Sequence, residues 1–306
     1  MSSSYMIHVV ILRSKLILIS GVTCDPVLGS ATYGSIVSIW LYDFGQVGTL
    51  PSSIGSFRSL KSLVIGKSSI SGTIPSRLGE SSSLRSLFLS NSLFSGTIPS
   101  TLGSLQSLRL LMLSGNKLTG SIPNNLATTL SYLDLSNNRL VGTISSSISE
   151  MKSLTSLLAS NNLLSGTIPS TISTLKNLTD WQLISNLLTG TIPDMAALTS
   201  LQTLDFSVNS LRGTIHSSIG SLKKLSYLSL RSNSLSGIIP NMSLLQQTFE
   251  IDLSNNYLTM GAAATVPLST FSKHSLLFGV KLGQNCLAFK AWFYPAVGPT
   301  HCKCKI

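Results

Sequence analysis

The sequence predicts a solenoid of about ten stacked turns rather than a pair of globular domains. Gly-Thr-Ile-Pro, or a close variant of it, recurs at Gly72, Gly96, Gly120, Gly166 and Gly190. The residue that opens each repeat, apolar in nine of the ten, follows the previous one by 22 to 24 residues. These positions are Ile36, Leu60, Leu84, Leu108, Leu130, Leu154, Leu178, Leu201, Leu225 and Thr248. A turn this short cannot bury its own apolar face, so neighbouring turns must stack.

The composition supports a large buried core. The 306-residue chain is 43% hydrophobic and 10% charged, with a formal net charge of +11. A long disordered chain needs more charge and fewer apolar residues, which excludes that class. With only 4 cysteines, the chain is also not a cysteine-dense scaffold.

Each slot of the repeat has a physical reason. Leu133 and Leu135 alternate with outward residues, which predicts a half-buried strand. An asparagine then recurs whose side chain can bond the backbone of adjacent turns. It stands at Asn116, Asn138, Asn162, Asn186, Asn209, Asn233 and Asn256. The glycine that follows allows a sharp turn, and the proline after it ends the extended stretch.

Together these slots read L-x-x-L-x-L-x-x-N-x-L-x-G-x-I-P, which resembles the leucine-rich repeat. The Gly-x-Ile-Pro half resembles the plant-type subfamily, found in ectodomains of receptor-like kinases and receptor-like proteins and in polygalacturonase inhibitors. The resemblance covers roughly residues 22–258. It implies a right-handed α/β solenoid with a parallel sheet on the concave face and short 3-10 or helical turns on the convex face. For function it implies extracellular recognition.

Three regions are predicted. Residues 1–23 are a degenerate signal segment or a truncated N-terminal cap, residues 24–258 the array, and residues 259–306 a C-terminal cap with cysteines. Arg13 and Lys15 interrupt the first apolar run, which disfavours a spanning helix and is not the continuous apolar core of a usual signal peptide. The family resemblance nevertheless implies a secretory leader. No apolar stretch of about 20 residues follows the array, so we expect no C-terminal membrane anchor.

The cysteines near the C-terminus predict a stapled cap. Cys286 would pair with Cys302 or with Cys304. A zinc site that also uses His301 fits poorly, because zinc ligands come in pairs spaced by two to four residues. Cys24 lies about 40 Å from these residues at the spacing of stacked strands. It is therefore expected to be a free thiol or the remainder of a lost pair.

The sequence predicts neither an enzyme nor a cofactor. No motif of a kinase or of a serine hydrolase surrounds the histidines and serines. His216 takes the proline slot of its repeat, where a tolerated substitution explains it. Glycosylation sequons begin at Asn177 and Asn241, both away from the concave strand slots.

The charge census of the predicted concave face disfavours nucleic acid. Its third, fifth, seventh and eighth slots carry two bases, Lys67 and Arg231. They carry six acids, namely Asp43, Asp134, Asp180, Asp205, Glu250 and Asp252, which leaves a net charge of −4. Phosphate binding would need clustered bases in this groove. The other bases lie on flanks and on the convex side, which makes an acidic cell-wall polysaccharide a candidate partner there.

The concave face also predicts a ligand surface. An apolar patch of Trp40, Val64, Phe88, Leu110 and Met112 is expected to be exposed at its start, which is typical of partner surfaces. Further along, the acids would engage basic groups, namely Asp134, Asp180, Asp205 and Asp252.

We therefore predict a module that binds a peptide or protein on this face, with a co-receptor as a further candidate partner. Alternatives are an inhibitor of a secreted wall-degrading enzyme and an adhesive wall protein. A purely structural interpretation also stands. In this interpretation, the Asp of Leu-Asp-Leu-Ser-Asn is a common residue of the family's repeat with no role toward a ligand, and Trp40 packs on the N-terminal cap.

Overall fold

A computed structural model describes residues 10–11, 16–17, 22–24, 36–43, 45, 47–259, 279–281 and 283. The chain divides into two compact blocks, Met1–Leu164 and Ser165–Ile306, which we call the N-terminal and the C-terminal block. A first pair of strands, β1 (Val10–Ile11) and β2 (Leu16–Ile17), is antiparallel.

Each repeat contributes one short strand to what we call the main sheet. In the N-terminal block these are β3 (Val22–Cys24), β4 (Ile36–Tyr42), β6 (Ser62–Gly66), β8 (Ser86–Phe88), β10 (Leu110–Met112), β12 (Tyr132–Asp134) and β14 (Ser156–Leu158). In the C-terminal block they are β16 (Asp180–Gln182), β18 (Thr203–Asp205), β20 (Tyr227–Ser229), β22 (Glu250–Asp252) and β24 (Gly279–Lys281). Within each block neighbours are parallel, except that β3 runs antiparallel to β4.

A second row of strands follows the asparagine slot and forms what we call the side sheet. Its strands in the N-terminal block are β5 (Val47–Thr49), β7 (Ser69–Thr73), β9 (Leu93–Thr97), β11 (Lys117–Thr119) and β13 (Val141–Thr143). The C-terminal block, with its first strand starting at the boundary, has β15 (Leu163–Thr167), β17 (Leu187–Thr189), β19 (Arg212–Gly213), β21 (Ser234–Ile238) and β23 (Tyr257–Thr259).

Short 3-10 helices complete many repeats. They are η1 (Ser52–Ser56), η2 (Ser76–Glu80), η3 (Ser100–Ser104), η4 (Ser146–Glu150), η5 (Ser170–Thr174) and η6 (Ser217–Ser221). Proline stands at the N-cap of η1, η2, η3 and η5, where its fixed φ suits the turn. The predicted leucine-rich repeat architecture, with parallel strands and 3-10 turns, is confirmed.

The core lies between these elements and repeats with them. Leu84, Leu87 and Leu89, in the first, fourth and sixth slots, are fully buried, and the same slots are buried in the following repeats. In the C-terminal block Trp181 and Phe206 replace two of these leucines and meet edge to face, with ring centroids 4.7 Å apart. Buried apolar area of this kind is the main source of stability in stacked repeats.

The asparagine ladder acts as the sequence predicts. The side-chain amide of Asn138 donates to the carbonyl of Leu113 in the preceding repeat and to that of Leu135 in its own, both at 3.0 Å. Its Oδ1 accepts the backbone N–H of Leu118 at 3.0 Å. One buried side chain thereby satisfies backbone groups of two consecutive turns.

The glycine slot is fixed by backbone conformation and by packing together. Gly96 has φ +74°, and a Cβ added to it would lie 2.9 Å from Cγ2 of Thr73 in the preceding repeat. Any other residue would therefore meet both a strained φ and a methyl group. This contact recurs between successive repeats, which explains why Gly and Thr stand side by side in the motif.

Candidate functional site

The open face of the main sheet, which is turned away from the buried leucines, is the predicted concave ligand surface. Strand register brings its fifth-slot residues side by side in the N-terminal block. Trp40 pairs with Val64, and Val64 with Phe88. Phe88 then pairs with Met112, and Met112 with Asp134. These side chains lie on neighbouring strands about 4.8 Å apart.

The structure exposes most, but not all, of the predicted apolar patch. Trp40 is 53% exposed and Leu110 is 38% exposed, while Phe88 and Met112 are half-buried. Val64 is only 7% exposed, so the expectation that it belongs to the exposed surface is wrong. Its short side chain lies between two larger aromatic residues on the adjacent strands.

An aromatic contact that sequence analysis missed extends this patch. The rings of Tyr42 and Phe88 meet edge to face at 5.9 Å, across the strand that carries Gly66. A Cβ on Gly66 would lie 2.8 Å from both rings, so glycine makes the contact possible. Lys67 Nζ lies 5.5 Å from the centre of the Tyr42 ring and 3.9 Å from Asp43 Oδ2. The signal was a glycine in a slot where most repeats carry serine.

A row of cations runs along the edge where the strands begin, in a slot outside the four that the sequence predicts to face a ligand. Lys61, Arg85 and Arg109 occupy the second slot of three consecutive repeats and are exposed. The backbone N–H of Arg85 donates to the backbone carbonyl of Lys61, and the backbone N–H of Arg109 donates to that of Arg85, both at 2.8 Å. The backbone therefore holds three positive side chains in one line beside the apolar patch.

The predicted acids are less accessible than expected. Asp205 and Asp252 are 6% and 5% exposed, so the expectation that they face solvent is wrong. Asp205 Oδ1 accepts the N–H of Ser207 at 2.9 Å, and Asp252 Oδ1 accepts the N–H of Ser254 at 3.0 Å. Because each carboxylate closes the turn after its own strand, these residues serve the backbone locally.

The other two predicted acids are half-buried and also have local partners. Asp134 Oδ1 accepts the N–H of Ser136 at 3.0 Å. Asp180 Oδ2 accepts the hydroxyl of Thr179 at 2.8 Å. Their roles toward a ligand stay a prediction.

Burial also alters the acid–base properties of this region. Desolvation raises the pKa of Asp205 above its ordinary value, against hydrogen bonds from Ser207 and Tyr227 that lower it. Burial, together with the nearby charges of Asp205 and Glu250, raises the pKa of Tyr227 to about 12. The fifth slot of the C-terminal block therefore holds buried, hydrogen-bonded acids where that of the N-terminal block has Trp40 and Phe88, although Tyr227 also contacts the ring of Phe249, with centroids 6.2 Å apart.

One cluster resembles a catalytic triad in composition but not in geometry. His216 Nδ1 lies 2.8 Å from Ser218 Oγ and 3.5 Å from Asp194 Oδ1. In a hydrolase triad the serine and the acid contact different ring nitrogens, whereas here both lie at Nδ1. A hydrogen bond from the Ser218 hydroxyl is the main cause of the lowered pKa of Asp194. His216 caps η6 by accepting the N–H of Ser218, as a replacement for proline. Among the described residues, no three His, Cys, Asp or Glu side chains could hold a metal ion.

The solvent side of the side sheet carries a regular array of hydroxyl groups. Exposed threonines follow the glycine slot, namely Thr49, Thr73, Thr97 and Thr143 in the N-terminal block and Thr167, Thr191 and Thr214 in the C-terminal block. A second column stands two residues earlier. In it the hydroxyls of Ser95 and Thr119 donate to glycine carbonyls of the preceding repeat at 3.4 and 3.3 Å. Hydroxyl groups therefore recur about every 4.8 Å over most repeats of each block. The first column is interrupted at Ile238, and the second at Val47, Val141 and Arg212.

The remaining predicted positions lie elsewhere. Asn177 and Asn241 are exposed outside the strands of the main sheet. The predicted pairing of Cys286 with Cys302 or Cys304, and the weaker zinc alternative, lie outside the described residues. No helix in the described part of the chain is long and apolar enough to span a membrane.

Comparison with known proteins agrees with this geometry. The family model described as Leucine Rich Repeat matches residues 83–105, 107–128, 129–151, 153–175, 200–222 and 224–243. No sequence among the curated proteins matches the chain.

Solved structures include similar receptor ectodomains. The ectodomain of the plant membrane receptor kinase GASSHO1/SCHENGEN3 from Arabidopsis thaliana, in complex with CASPARIAN STRIP INTEGRITY FACTOR 2, is 35% identical with a TM-score of 0.79. The alignment covers 88% of this chain and 32% of that one. The Arabidopsis HAESA ectodomain with an IDA peptide hormone is 33% identical with a TM-score of 0.72, over 87% of this chain and 44% of that one. The chain thus spans less than half of either ectodomain.

A third structure is of similar length. A plant ice-binding protein is 26% identical with a TM-score of 0.62, and the alignment covers 82% of this chain and 88% of that one.

Proposed function

The chain belongs to the leucine-rich repeat family, and from that premise we propose that it is a non-catalytic recognition module at the plant cell surface or outside the cell. It binds a peptide or protein on the open face of its main sheet. The principal contact is the patch of Trp40, Phe88, Leu110 and Met112 in the N-terminal block.

The exposure of this patch is the observation that carries the proposal. A folded protein rarely leaves a tryptophan, a phenylalanine and two long aliphatic side chains together at the surface without a partner. Aromatic side chains that can be desolvated by a ligand are also the commonest energetic centres of interfaces. Parallel strands hold these groups in fixed positions, so little conformational entropy is lost when a ligand binds.

The structural neighbours support this type of ligand. The two receptor ectodomains described above were solved with CASPARIAN STRIP INTEGRITY FACTOR 2 and with a peptide hormone, respectively. An inhibitor of a wall-degrading enzyme would use the same face. The patch would then insert into the enzyme surface, and a partner of globular size would be captured instead of a peptide.

The proposal is tested by affinity capture from a plant extracellular peptide and protein fraction, followed by titration of the captured partner. Phe88→Asp places a charge in the patch and is expected to weaken binding about 30-fold, the loss of a typical interface centre. Trp40→Ala removes another side chain of the patch but leaves the contact between Tyr42 and Phe88 intact. If this variant also binds more weakly, misfolding caused by the loss of Phe88 does not explain the result. Gln182→Asp introduces the same charge in the same slot of the C-terminal block, at a residue that is half-buried like Phe88, and serves as a control. Equal partner binding by all variants would contradict the proposal.

The side sheet supports a second candidate function, adsorption to ice. Its exposed threonines and the serine column beside them present hydroxyl and methyl groups at one repeated spacing on a rigid surface. Ice is itself a regular lattice of water, so such an array can match it over several repeats. The similar plant ice-binding protein has nearly the length of this chain.

Two substitutions on different faces separate the two functions. Thr97→Lys disrupts the hydroxyl array and is expected to abolish inhibition of ice recrystallisation, while Phe88→Asp leaves that inhibition unchanged. Phe88→Asp should weaken peptide capture, and Thr97→Lys should leave it unchanged. If wild-type protein at micromolar concentration does not slow ice recrystallisation, the ice-binding candidate is wrong.

A further inference from the structure

The N-terminal block carries a strong and poorly balanced positive charge. Between Asp43 and Asp134 the sequence contains seven basic residues and one acid, Glu80. Glu80 is bound by Arg58 and Arg77, whose nitrogens lie 3.2 Å from its carboxylate oxygens. Lys67 lies 3.9 Å from Asp43 Oδ2, so the positive charge beside the main sheet comes chiefly from Lys61, Arg85 and Arg109.

Three of these cations form the row at the edge of the open face. Lys61, Arg85 and Arg109 belong to consecutive repeats, so the step from one to the next is about 4.8 Å. The Arg109 Nη1 donates to the carbonyls of Gln106 and Leu108 at 3.3 and 3.2 Å. A guanidinium has five N–H donors, so Arg109 keeps donors for a second acceptor.

The cation row runs parallel to the apolar patch. Arg85 directly precedes β8 and Phe88 ends it, so their Cα atoms are about 10 Å apart. Between the cation row and the fifth-slot residues of the patch, the outward-facing residues are Ser62, Ser86 and Leu110, which pair in register across the sheet. Leu110 itself belongs to the patch. A ligand chain lying over these three residues would have positive charge on one side and aromatic surface on the other.

The spacing of the row selects the conformation of such a ligand. Two steps across the main sheet measure about 9.6 Å. In a polyproline II helix every third residue points the same way, after about 9.3 Å. A fully extended strand repeats its side after about 6.7 Å, which matches neither one step nor two. A left-handed helix with three residues per turn therefore remains in phase with Lys61 and Arg109, and Arg85 lies between them.

We propose that the open face of the N-terminal block binds an acidic peptide in the polyproline II conformation, with a carboxylate at every third position and an apolar residue next to it. This inference rests on the proposed function and specifies its ligand. The apolar patch favours a peptide over an acidic polysaccharide, because a polyuronate has no apolar side chains to cover Phe88 and Leu110.

The test uses a fluorescent peptide of four Glu-Leu-Pro triplets and a permuted peptide of the same composition with its glutamates grouped at one end. Fluorescence anisotropy measures the affinity of each at about 50 and 200 mM salt. The periodic peptide is expected to bind at least fivefold more tightly than the permuted one. Arg85→Glu is expected to weaken the periodic peptide about tenfold at low salt. Lys223→Glu, the same change at an exposed position of the C-terminal block, should alter its affinity less than twofold.

Other outcomes overturn the inference. Equal affinity for both peptides would show that charge alone acts, and equal effects of Arg85→Glu and Lys223→Glu would show that location does not matter. No measurable binding of either peptide, or tighter binding of an oligogalacturonate, would also reject the acidic peptide as the ligand. If Phe88→Asp releases a captured partner while Arg85→Glu retains it, the proposed function stands and this inference fails.

Discussion

The two blocks share one scaffold and differ on its open face. In the fifth slot of the main sheet the N-terminal block has Trp40, Phe88 and Met112, where the C-terminal block has Asp205 and Asp252. Most buried slots of both blocks are filled by leucine or by another large apolar residue. Core slots therefore specify the fold, while the face slots are free to diverge.

The difference also concerns how each face is satisfied. In the C-terminal block the polar side chains close on themselves, since Asp252 Oδ1 accepts both the N–H and the hydroxyl of Ser254, at 3.0 and 2.6 Å. The N-terminal block leaves Trp40 and Leu110 without such closure. A face that satisfies itself is suited to stability, and a face that does not is suited to a partner.

The largest expected effect tests whether the two cores are equivalent despite their different residues. Trp181→Ala removes the largest buried side chain of the C-terminal block and its contact with Phe206, so we expect a loss of about 3–5 kcal/mol in the free energy of unfolding. Leu133→Ala, in the same slot of the N-terminal block, should cost about 2–5 kcal/mol. Urea unfolding measures both.

Trp181→Leu sharpens this comparison. It restores the residue of the other repeats and removes an indole N–H, the Nε1 atom, that has no hydrogen-bond partner among the described residues. The leucine variant should therefore keep more stability than the alanine variant. Equal losses for the two variants would mean that packing volume at this slot is unimportant.

The next effect concerns the asparagine ladder, which is complete in the C-terminal block and incomplete at the start of the N-terminal block. There Ser68 and Ser92 take the slot, with their hydroxyls 2.9 Å apart. Asn138→Ala would leave backbone groups of two repeats unsatisfied, at a cost of about 2–3 kcal/mol. Ser92→Asn, which extends the ladder, is expected to raise the melting temperature. If Asn138→Ala leaves the free energy of unfolding unchanged, water replaces the hydrogen bonds of the side chain.

A smaller effect comes from backbone strain at the eighth slot. Val208 adopts φ +56°, whereas the N-terminal block has Asn137 at φ +55° in the same slot. A left-handed conformation is costly for a β-branched residue and mild for asparagine. Val208→Asn should stabilise by about 1 kcal/mol, and the reciprocal Asn137→Val should destabilise by about as much. Thermal unfolding of both variants tests the pair, and the same sign for both would refute the argument.

Much of this could be predicted from the sequence because it depends on period alone. The spacing of leucines, of Asn138 and its equivalents, and of Gly96 with Thr73 is imposed by stacking, and stacking repeats. Other features could not be predicted, because they depend on neighbours in adjacent repeats. Val64 is buried between Trp40 and Phe88 on the adjacent strands. Asp205 is buried beside Tyr227 of the next repeat. The alternation of outward residues does not predict the cation row, because the second slot lies at the edge of the strand.

The smallest expected effect tests whether burial of the acid in the C-terminal block is costly. Because desolvation raises the pKa of Asp205 above 3.8, the folded state binds a proton more tightly than the unfolded state does. The stability that this tighter proton binding contributes is therefore fully present below the pKa of Asp205 in the unfolded state. It is lost as pH rises through the pKa of Asp205 in the folded state. At pH 7 Asp205→Asn should stabilise by less than about 1 kcal/mol, since its side-chain oxygen can still accept the N–H of Ser207.

That gain should vanish as pH falls below the ordinary carboxyl range, because Asp205 is then neutral as well. Asp134→Asn is the matched control in the N-terminal block. Its carboxylate accepts the equivalent bond from Ser136 but is half-buried, so we expect a smaller change. An independent readout is Tyr227, whose pKa of about 12 is raised in part by Asp205 and should fall in the Asp205→Asn variant. An unchanged phenolate titration would mean that the two side chains do not interact, and the contrast between the blocks would then rest on burial alone.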